Sequence, residues 1–113
     1  MTTDLDCLFC KINAGEIPAK MVLQTDKITA FLDINPQAPT HVLVIHKVHT
    51  ASLSETEDPQ VLLEVMQGVQ AVAKKLSLTD YRVAINNGAS AGQTVFHLHA
   101  HVLAGRKLEW PPG

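Results

Sequence analysis

The chain has 113 residues, 46% of them hydrophobic and 18% charged, with a formal net charge of -2 at pH 7. This length suits one hydrophobic core, so we expect a single domain over residues 1–113. The slightly acidic balance offers no basic stripe for a phosphate backbone, which argues against a nucleic-acid-binding protein, and no run approaches the roughly 20 apolar residues of a membrane span.

The first half of the chain predicts one short helix and three strands. The expected ranges are 5–14 for the helix and 21–24, 27–33 and 41–46 for the strands. In the third strand, His41, Leu43 and Ile45 share one face because side chains two residues apart point the same way. His46 ends that strand, and we expect it at the surface.

The second half predicts a long helix and two more strands. Asp58 is expected to cap the helix with Pro59 at its first position, and apolar residues at helical spacing continue it to about Ser77. The fourth strand is expected over 81–86 and the last over 95–103, with a polar, glycine-containing loop between them. This order predicts an α+β fold, with an antiparallel sheet of about five strands and one long and one short helix.

Three histidines alternate along the last predicted strand, namely His97, His99 and His101. We expect the three imidazoles to line one side, with the intervening apolar residues, Phe96 among them, pointing into the core. Burying three polar rings requires three sets of partners, so the pattern predicts chemistry rather than packing. From these residues alone, chelation of a metal by the three histidines stays open as an interpretation.

The segment from His97 to Leu103 resembles the His-φ-His-φ-His-φ-φ signature (φ apolar) of the histidine triad (HIT) superfamily. Further blocks resemble its Hint branch, the histidine triad nucleotide-binding proteins. These blocks are residues 9–12 (FCKI), 16–20 (EIPAK), 30–41 (AFLDINPQAPTH), 92–97 (GQTVFH) and 110–113 (WPPG). The resemblance implies a HIT-like fold, a homodimer and hydrolysis of purine nucleoside 5′-phosphoramidates at the α-phosphorus through a covalent nucleotidyl-histidine. It also implies that this chemistry requires no cofactor.

The resemblance assigns catalytic roles as well. His99 matches the nucleophile, which suits an imidazole with a protonated Nδ1 and a free Nε2. The carbonyl of His97 is implied to hold that tautomer, and His41 to help orient the ring. His101 is implied to donate a hydrogen bond to a phosphate oxygen. Thr94 matches a position usually held by serine, and its hydroxyl would contact the phosphate or the leaving nitrogen, although a regular strand would point it away from the histidines.

For the nucleotide, the resemblance implies an apolar base pocket, a ribose contact and a loop near the phosphate. The implied nucleotide-binding residues are Phe9, Ile12, Phe31, Asp33, Ile34, Leu43, Asn86, Gly92, Gln93, Thr94, His99 and His101. Asp33 would accept hydrogen bonds from the ribose hydroxyls. Read without the family, the apolar members are equally consistent with core residues, Asp33 with a turn residue, and His41 with a strand-end histidine bonded to a loop.

The chain has two cysteines, Cys7 and Cys10, which lie too close in sequence to close a useful loop. This usage, and an N-terminus without the basic and apolar regions of a signal peptide, predict a reducing, cytoplasmic location. In family members with such a pair, the cysteines can bind structural zinc with two histidines, and the matching residues here are His49 and His97. The alternative is two buried thiols that pack as small hydrophobes.

Two alternatives to the phosphoramidate hydrolase stay open. One is a non-catalytic module that binds nucleotide or zinc. The other is a dinucleoside polyphosphate hydrolase, which shares the triad; the terminal block from Trp110 to Gly113 favours the Hint branch over it.

Overall fold

The structure is a computed structural model that describes residues 6–112, so the predicted helix start at Leu5 and the terminal Gly113 lie outside it. The elements in chain order are α1 (Leu8–Asn13), β1 (Met21–Gln24), β2 (Ile28–Leu32), β3 (Thr40–His46), α2 (Pro59–Lys75), β4 (Arg82–Ala84) and β5 (His99–Ala104), with a 3-10 turn at Ala89–Ala91 before β5. The strands form one antiparallel sheet in the order β1-β2-β3-β5-β4. This confirms the predicted α+β fold with five strands, one long helix and one short helix.

Helix α2 covers one face of the sheet. The Asp58 side chain accepts the backbone N–H of Gln60 at 2.9 Å, and Pro59 is the first helical residue, as predicted. The buried side chains of this layer are Val61, Val65, Val69 and Val72 from α2 and Ile28, Ala30, Val42, Val44, Leu98, Ala100 and Val102 from the sheet side. Gly68 permits the close approach, because a Cβ there would lie 2.9 Å from Val44 Cγ1.

Helix α1 covers the opposite face. Side chains alternate along a strand, so Leu43 and Ile45 point away from α2 and pack with Phe9, Cys10 and Ile12 of α1 and its neighbours. His101 pairs in register with Leu43 and His99 with Ile45. Those two histidines therefore lie on the face that α1 covers.

The last strand is shorter than predicted. It begins at His99 rather than at residue 95, because the chain bends over residues 95–97 and the N–H of Leu98 bonds to the carbonyl of Thr50 at 2.8 Å instead of continuing the β3 ladder. Phe96 is consequently 49% exposed, so its predicted place in the core is wrong.

Two other elements are also shorter than predicted. Helix α1 has six residues against the expected span of 5–14. Strand β4 has three residues rather than the expected span of 81–86. Within residues 6–112, no helix is long and apolar enough to cross a bilayer.

Candidate active site

A cavity of about 350 Å³ opens between α1 and the face of the sheet that carries His99 and His101. Its walls include all five apolar residues expected around a base, which are Phe9, Ile12, Phe31, Ile34 and Leu43. Asp33 and Thr94 line the same cavity. Ile34 is 99% exposed and is therefore no core residue, whereas the other four apolar residues are buried and also belong to the core. An apolar slot with a few convergent polar groups is the usual form of a small-molecule site.

The His99 ring is held in one tautomer. Its Nδ1–H donates to the carbonyl oxygen of His97 at 2.7 Å, and the edge of the ring packs on Phe9 with centroids 5.0 Å apart. Burial lowers the pKa of His99 below its ordinary value, so the imidazole is neutral at pH 7. Nε2 therefore carries a lone pair, which is the nucleophilic form of the ring.

A chain of hydrogen bonds also defines the tautomers of His41 and His101. The backbone N–H of Gln37 donates to His41 Nδ1 at 3.0 Å, so the proton of a neutral His41 ring is on Nε2. His41 Nε2 lies 2.9 Å from His101 Nδ1 and donates to it. His101 consequently carries its own proton on Nε2. Burial, with the neighbouring His99 and His41, lowers the pKa of His101 to about 4, so the ring is neutral.

Asp33 follows directly after β2 and has two contacts. Its Oδ1 accepts the backbone N–H of Asn35 at 2.8 Å, as a turn residue would, and its Oδ2 lies 3.4 Å from His41 Nε2. The carboxylate therefore stabilises a turn and places negative charge beside the pair of histidines at the cavity wall.

The loop before β5 brings one of its predicted site residues to the cavity. Thr94 reaches the wall because β5 begins after it and strand alternation does not apply there. Gln93 is 3% exposed; its Oε1 accepts the N–H of Gly88 and its Nε2 donates to two backbone carbonyls, so this side chain shapes the loop. Gly92 has φ +103°, and a Cβ there would lie 3.3 Å from Asn86 Nδ2. Contacts of Asn86, Gly92 and Gln93 with a ligand stay a prediction.

A second cluster borders Phe9 through His97, whose ring centroid lies 5.9 Å from that of Phe9. It consists of Cys7, Cys10, His49 and His97, whose four ligand atoms all lie within 4.8 Å of one another. His97 Nδ1 is 3.4 Å from Cys7 Sγ, 3.6 Å from Cys10 Sγ and 3.2 Å from His49 Nδ1. In tetrahedral zinc sites, two nitrogen ligands are about 3.3 Å apart and a nitrogen and a sulfur about 3.6 Å. The donor set and its spacing fit zinc.

His97 is oriented toward this cluster by its other nitrogen. Nε2–H donates to the carbonyl oxygen of His46 at 2.8 Å, which leaves Nδ1 as a lone pair facing the two thiols. Burial lowers the pKa of His97 to about 4, so the ring is neutral without a metal. Neutral imidazole and cysteine sulfur are ligands that zinc prefers.

The interpretation of the triad as one metal site fails on this geometry. His97 faces the cysteine cluster, whereas His99 and His101 line the cavity. A smaller group at the cavity, formed by Asp33, His41 and His101, has ligand atoms within 4.8 Å of one another. A metal on His41 Nε2 would require a proton on Nδ1, and that nitrogen already accepts the N–H of Gln37.

The expectation that His46 is a surface residue is wrong. It is 3% exposed, its Nε2–H donates to Glu64 Oε1 at 2.8 Å, and its Nδ1 accepts the N–H of Val48 at 2.8 Å. No sequence pattern pointed to Glu64, which comes from α2, a separate element. Sequence reasoning also gave no role to Ile17 and Pro18, which line the cavity and lie in one of the blocks quoted above.

The sequence is similar to one protein family and to several known proteins. The family described as "HIT domain" matches residues 14–108. An uncharacterized HIT-like protein of Synechocystis sp. is 49% identical over 111 residues, covering 96% of this chain and 97% of its own. A 14 kDa zinc-binding protein of Zea mays is 44% identical over 115 residues, covering 97% and 90%. The adenylylsulfatase HINT1 of Arabidopsis thaliana is 39% identical over 116 residues, covering 98% and 79%.

Solved structures agree in fold. A HIT family hydrolase from Legionella pneumophila superposes with a TM-score of 0.90 at 44% identity, covering 96% of this chain and 100% of its own. A zinc-bound histidine triad family protein from Mycobacterium smegmatis superposes with a TM-score of 0.80 at 36% identity, covering 90% and 76%.

Proposed function

The chain belongs to the HIT family, and from that premise we propose that it hydrolyses purine nucleoside 5′-phosphoramidates at the α-phosphorus. The single observation that carries the proposal is the state of His99. A buried, neutral imidazole whose Nδ1–H is held by a carbonyl presents a bare Nε2 beside a cavity with apolar walls. The apolar walls suit a purine, and Asp33 suits the ribose hydroxyls.

The reaction proceeds in two displacements. His99 Nε2 attacks the α-phosphorus, and the bond from phosphorus to the amine nitrogen breaks. That nitrogen keeps the bonding pair, takes a proton from solvent and leaves as the amine. Water then attacks the nucleotidyl-histidine, and the bond from phosphorus to Nε2 breaks with its electron pair returning to Nε2. The water releases a proton to solvent, and the nucleoside monophosphate leaves. His101 Nε2–H stabilises the charge on the phosphate oxygens in both steps, and Thr94 supplies a hydroxyl at the same wall.

We also propose that the cysteine and histidine cluster binds zinc as a structural ion. Four protein ligands close a tetrahedral site and leave no open position for substrate, which is how structural zinc differs from catalytic zinc. The ion would hold α1 against the sheet, and His99 would remain free for the chemistry. The zinc-binding protein of Zea mays supports this assignment.

A homodimer is the assembly we propose. Strand β4 is an edge of the sheet, and an edge strand is a template for pairing with another chain. Two apolar side chains are exposed in this region of the chain: Val83 of β4 is 39% exposed, and Trp110 near the C-terminus is 82% exposed. Both features support burial against a second copy.

The test is turnover of a fluorogenic adenosine 5′-phosphoramidate by the wild type and by His99→Ala, with and without a chelator. We expect wild-type hydrolysis in both conditions and loss of turnover in the variant, which should still bind adenosine monophosphate because its ribose and base contacts remain. Substantial residual hydrolysis by His99→Ala would reject the covalent mechanism. Wild-type protein that binds the monophosphate without turnover would instead support a nucleotide-binding module.

The same assay separates related substrates. Adenylyl sulfate and a dinucleoside polyphosphate present the same adenylyl group with other leaving groups, and the name of the Arabidopsis relative makes adenylyl sulfate the first to try. If either compound is turned over faster than the phosphoramidate, that compound's class becomes the proposed substrate, and His99 keeps its role as the nucleophile.

A further inference from the structure

A hydrogen-bonded pair, His46 and Glu64, joins the end of β3 to α2, outside the proposed catalytic machinery. His46 and Glu64 have side chains 3% and 14% exposed, and His46 Nε2–H donates to Glu64 Oε1 at 2.8 Å. This hydrogen bond lowers the pKa of the Glu64 carboxyl below its ordinary value. The pair is remote in sequence from Cys7 and Cys10, yet one backbone atom and one side-chain atom of His46 bond to the segments that carry the two histidines of the cluster.

His46 contacts one histidine of the cluster, His97, and the turn that leads to the other, His49. Its carbonyl oxygen accepts Nε2–H of His97 at 2.8 Å and the side-chain amide of Asn13 at 3.2 Å. Its Nδ1 accepts the N–H of Val48 at 2.8 Å, closing a turn that leads directly to His49. One residue thus holds the ring of His97 through its main chain and closes the turn before His49 through its side chain.

We propose that His46, oriented by Glu64, is a positioning residue that directs the Nδ1 atoms of His97 and His49 toward Cys7 and Cys10. This inference rests on the zinc part of the proposed function. Glu64 accepts a hydrogen bond from Nε2–H and so holds the proton of His46 on Nε2, which leaves Nδ1 as a lone pair that accepts from Val48. Partners of this kind orient the ligands of metal sites and raise metal affinity, and their loss costs about 10- to 100-fold.

Two substitutions of His46 separate its side-chain contacts. In His46→Asn, the amide oxygen replaces Nδ1 and keeps the turn to Val48, but the side chain is too short to reach Glu64. In His46→Gln, the amide nitrogen replaces Nε2 and keeps Glu64, but no acceptor remains for the N–H of Val48. We expect His46→Gln to lose about 10- to 100-fold in zinc affinity and His46→Asn to lose about threefold or less.

Glu64→Met tests whether the carboxylate acts through His46. We expect about a tenfold loss of zinc affinity in the wild-type background and none in the His46→Asn background, because an asparagine forms the turn without help. Gln60→Met is the matched control, since Gln60 donates to the other oxygen of Glu64 at 3.2 Å and does not touch His46. That control should bind zinc like the wild type.

The measurement uses the full chain, stripped of metal and titrated with Zn²⁺ against a chromophoric chelator and with Co²⁺ for its visible spectrum. Thermal unfolding of the metal-free proteins separates affinity from stability. Equal zinc affinities in His46→Asn and His46→Gln, or an equal cost of Glu64→Met in both backgrounds, would overturn the proposal. If His46→Gln does not fold, the Glu64→Met pair decides alone. A wild type that binds neither Zn²⁺ nor Co²⁺ would reject both the zinc assignment and this inference. The proposed hydrolase activity is tested separately, by turnover of the phosphoramidate.

Discussion

His41 and His101 form a directed hydrogen bond in which His41 Nε2 donates to His101 Nδ1 across 2.9 Å. The direction follows from the N–H of Gln37, which occupies the lone pair of His41 Nδ1. A main-chain N–H thereby determines that the proton of His101 is on Nε2, the atom that we propose donates to a phosphate oxygen.

We therefore predict that replacing His41 changes turnover more than binding. His41→Met removes the donor to His101 and should lower kcat by about 100-fold, with little change in KM. His41→Gln keeps a donor at the position of Nε2 and should retain activity within about tenfold of the wild type. Steady-state kinetics on the phosphoramidate provides both constants, and equal losses in the two variants would contradict the proposed direction of the bond.

Asp33 is predicted to recognise the ribose. Asp33→Asn keeps an oxygen for the N–H of Asn35 but loses the charge that holds a vicinal diol, and hydrogen bonds to charged groups are worth about 1.5–3 kcal/mol. We expect kcat/KM for the ribonucleotide substrate to fall by about 10- to 100-fold. A 2′,3′-dideoxy substrate is the control. If it suffers the same loss in the variant, Asp33 acts on the histidine pair and not on the ribose.

Zinc is predicted to raise the melting temperature. An ion that binds only the folded chain stabilises it with the logarithm of its concentration, by about 4 kcal/mol at a thousandfold excess over Kd. The wild type should therefore melt at higher temperature as free Zn²⁺ rises, and Cys10→Ser should abolish most of that dependence. Calorimetry with buffered zinc is the measurement, and a melting temperature independent of zinc would reject the site.

Acid is predicted to destabilise the metal-free protein. Burial lowers the pKa of His101 to about 4 from its ordinary value of 6.5. Between these two values the unfolded chain binds a proton that the folded chain does not, so stability is present above pH 6.5 and is lost as the pH falls toward 4. Melting temperatures in chelator over this window should fall more steeply for the wild type than for His101→Asn. Parallel curves would place the pKa of His101 near its ordinary value.

Local patterns were sufficient to predict most of the fold. The helix from Pro59 has a capping aspartate, a proline at its first position and a regular apolar face, and each of these acts within a few residues. The start of β5 was misplaced because apolar alternation continues through Phe96, whereas the N–H of Leu98 bonds to Thr50, 48 residues earlier in the chain. Such a long-range contact leaves no trace in the local pattern.

The candidate site also has residues that the sequence predicted and residues that depend on long-range contacts. The residues around the cavity were named from blocks of resemblance, and the structure brings Phe9, Asp33, Thr94, His99 and His101 to one place. His46 was misjudged because a histidine at a strand end is usually solvated, and its partner Glu64 comes from a separate element. The tautomer of His41 could not be predicted either, because it depends on the main-chain N–H of Gln37 that faces Nδ1 of the ring.

Helix α1 has six residues, fewer than the roughly 12–15 that an isolated helix needs to persist in water. Phe9 lies in it between the two cysteines, with its ring 5.0 Å from that of His99 and 5.6 Å from that of Phe31. Metal at the cysteine cluster and a purine in the cavity would both favour the same docked position of this helix. The two equilibria are then linked, and thermodynamic reciprocity requires each ligand to raise the affinity for the other by the same factor. A protein deprived of zinc would bind its nucleotide more weakly, although the ion touches no part of the substrate.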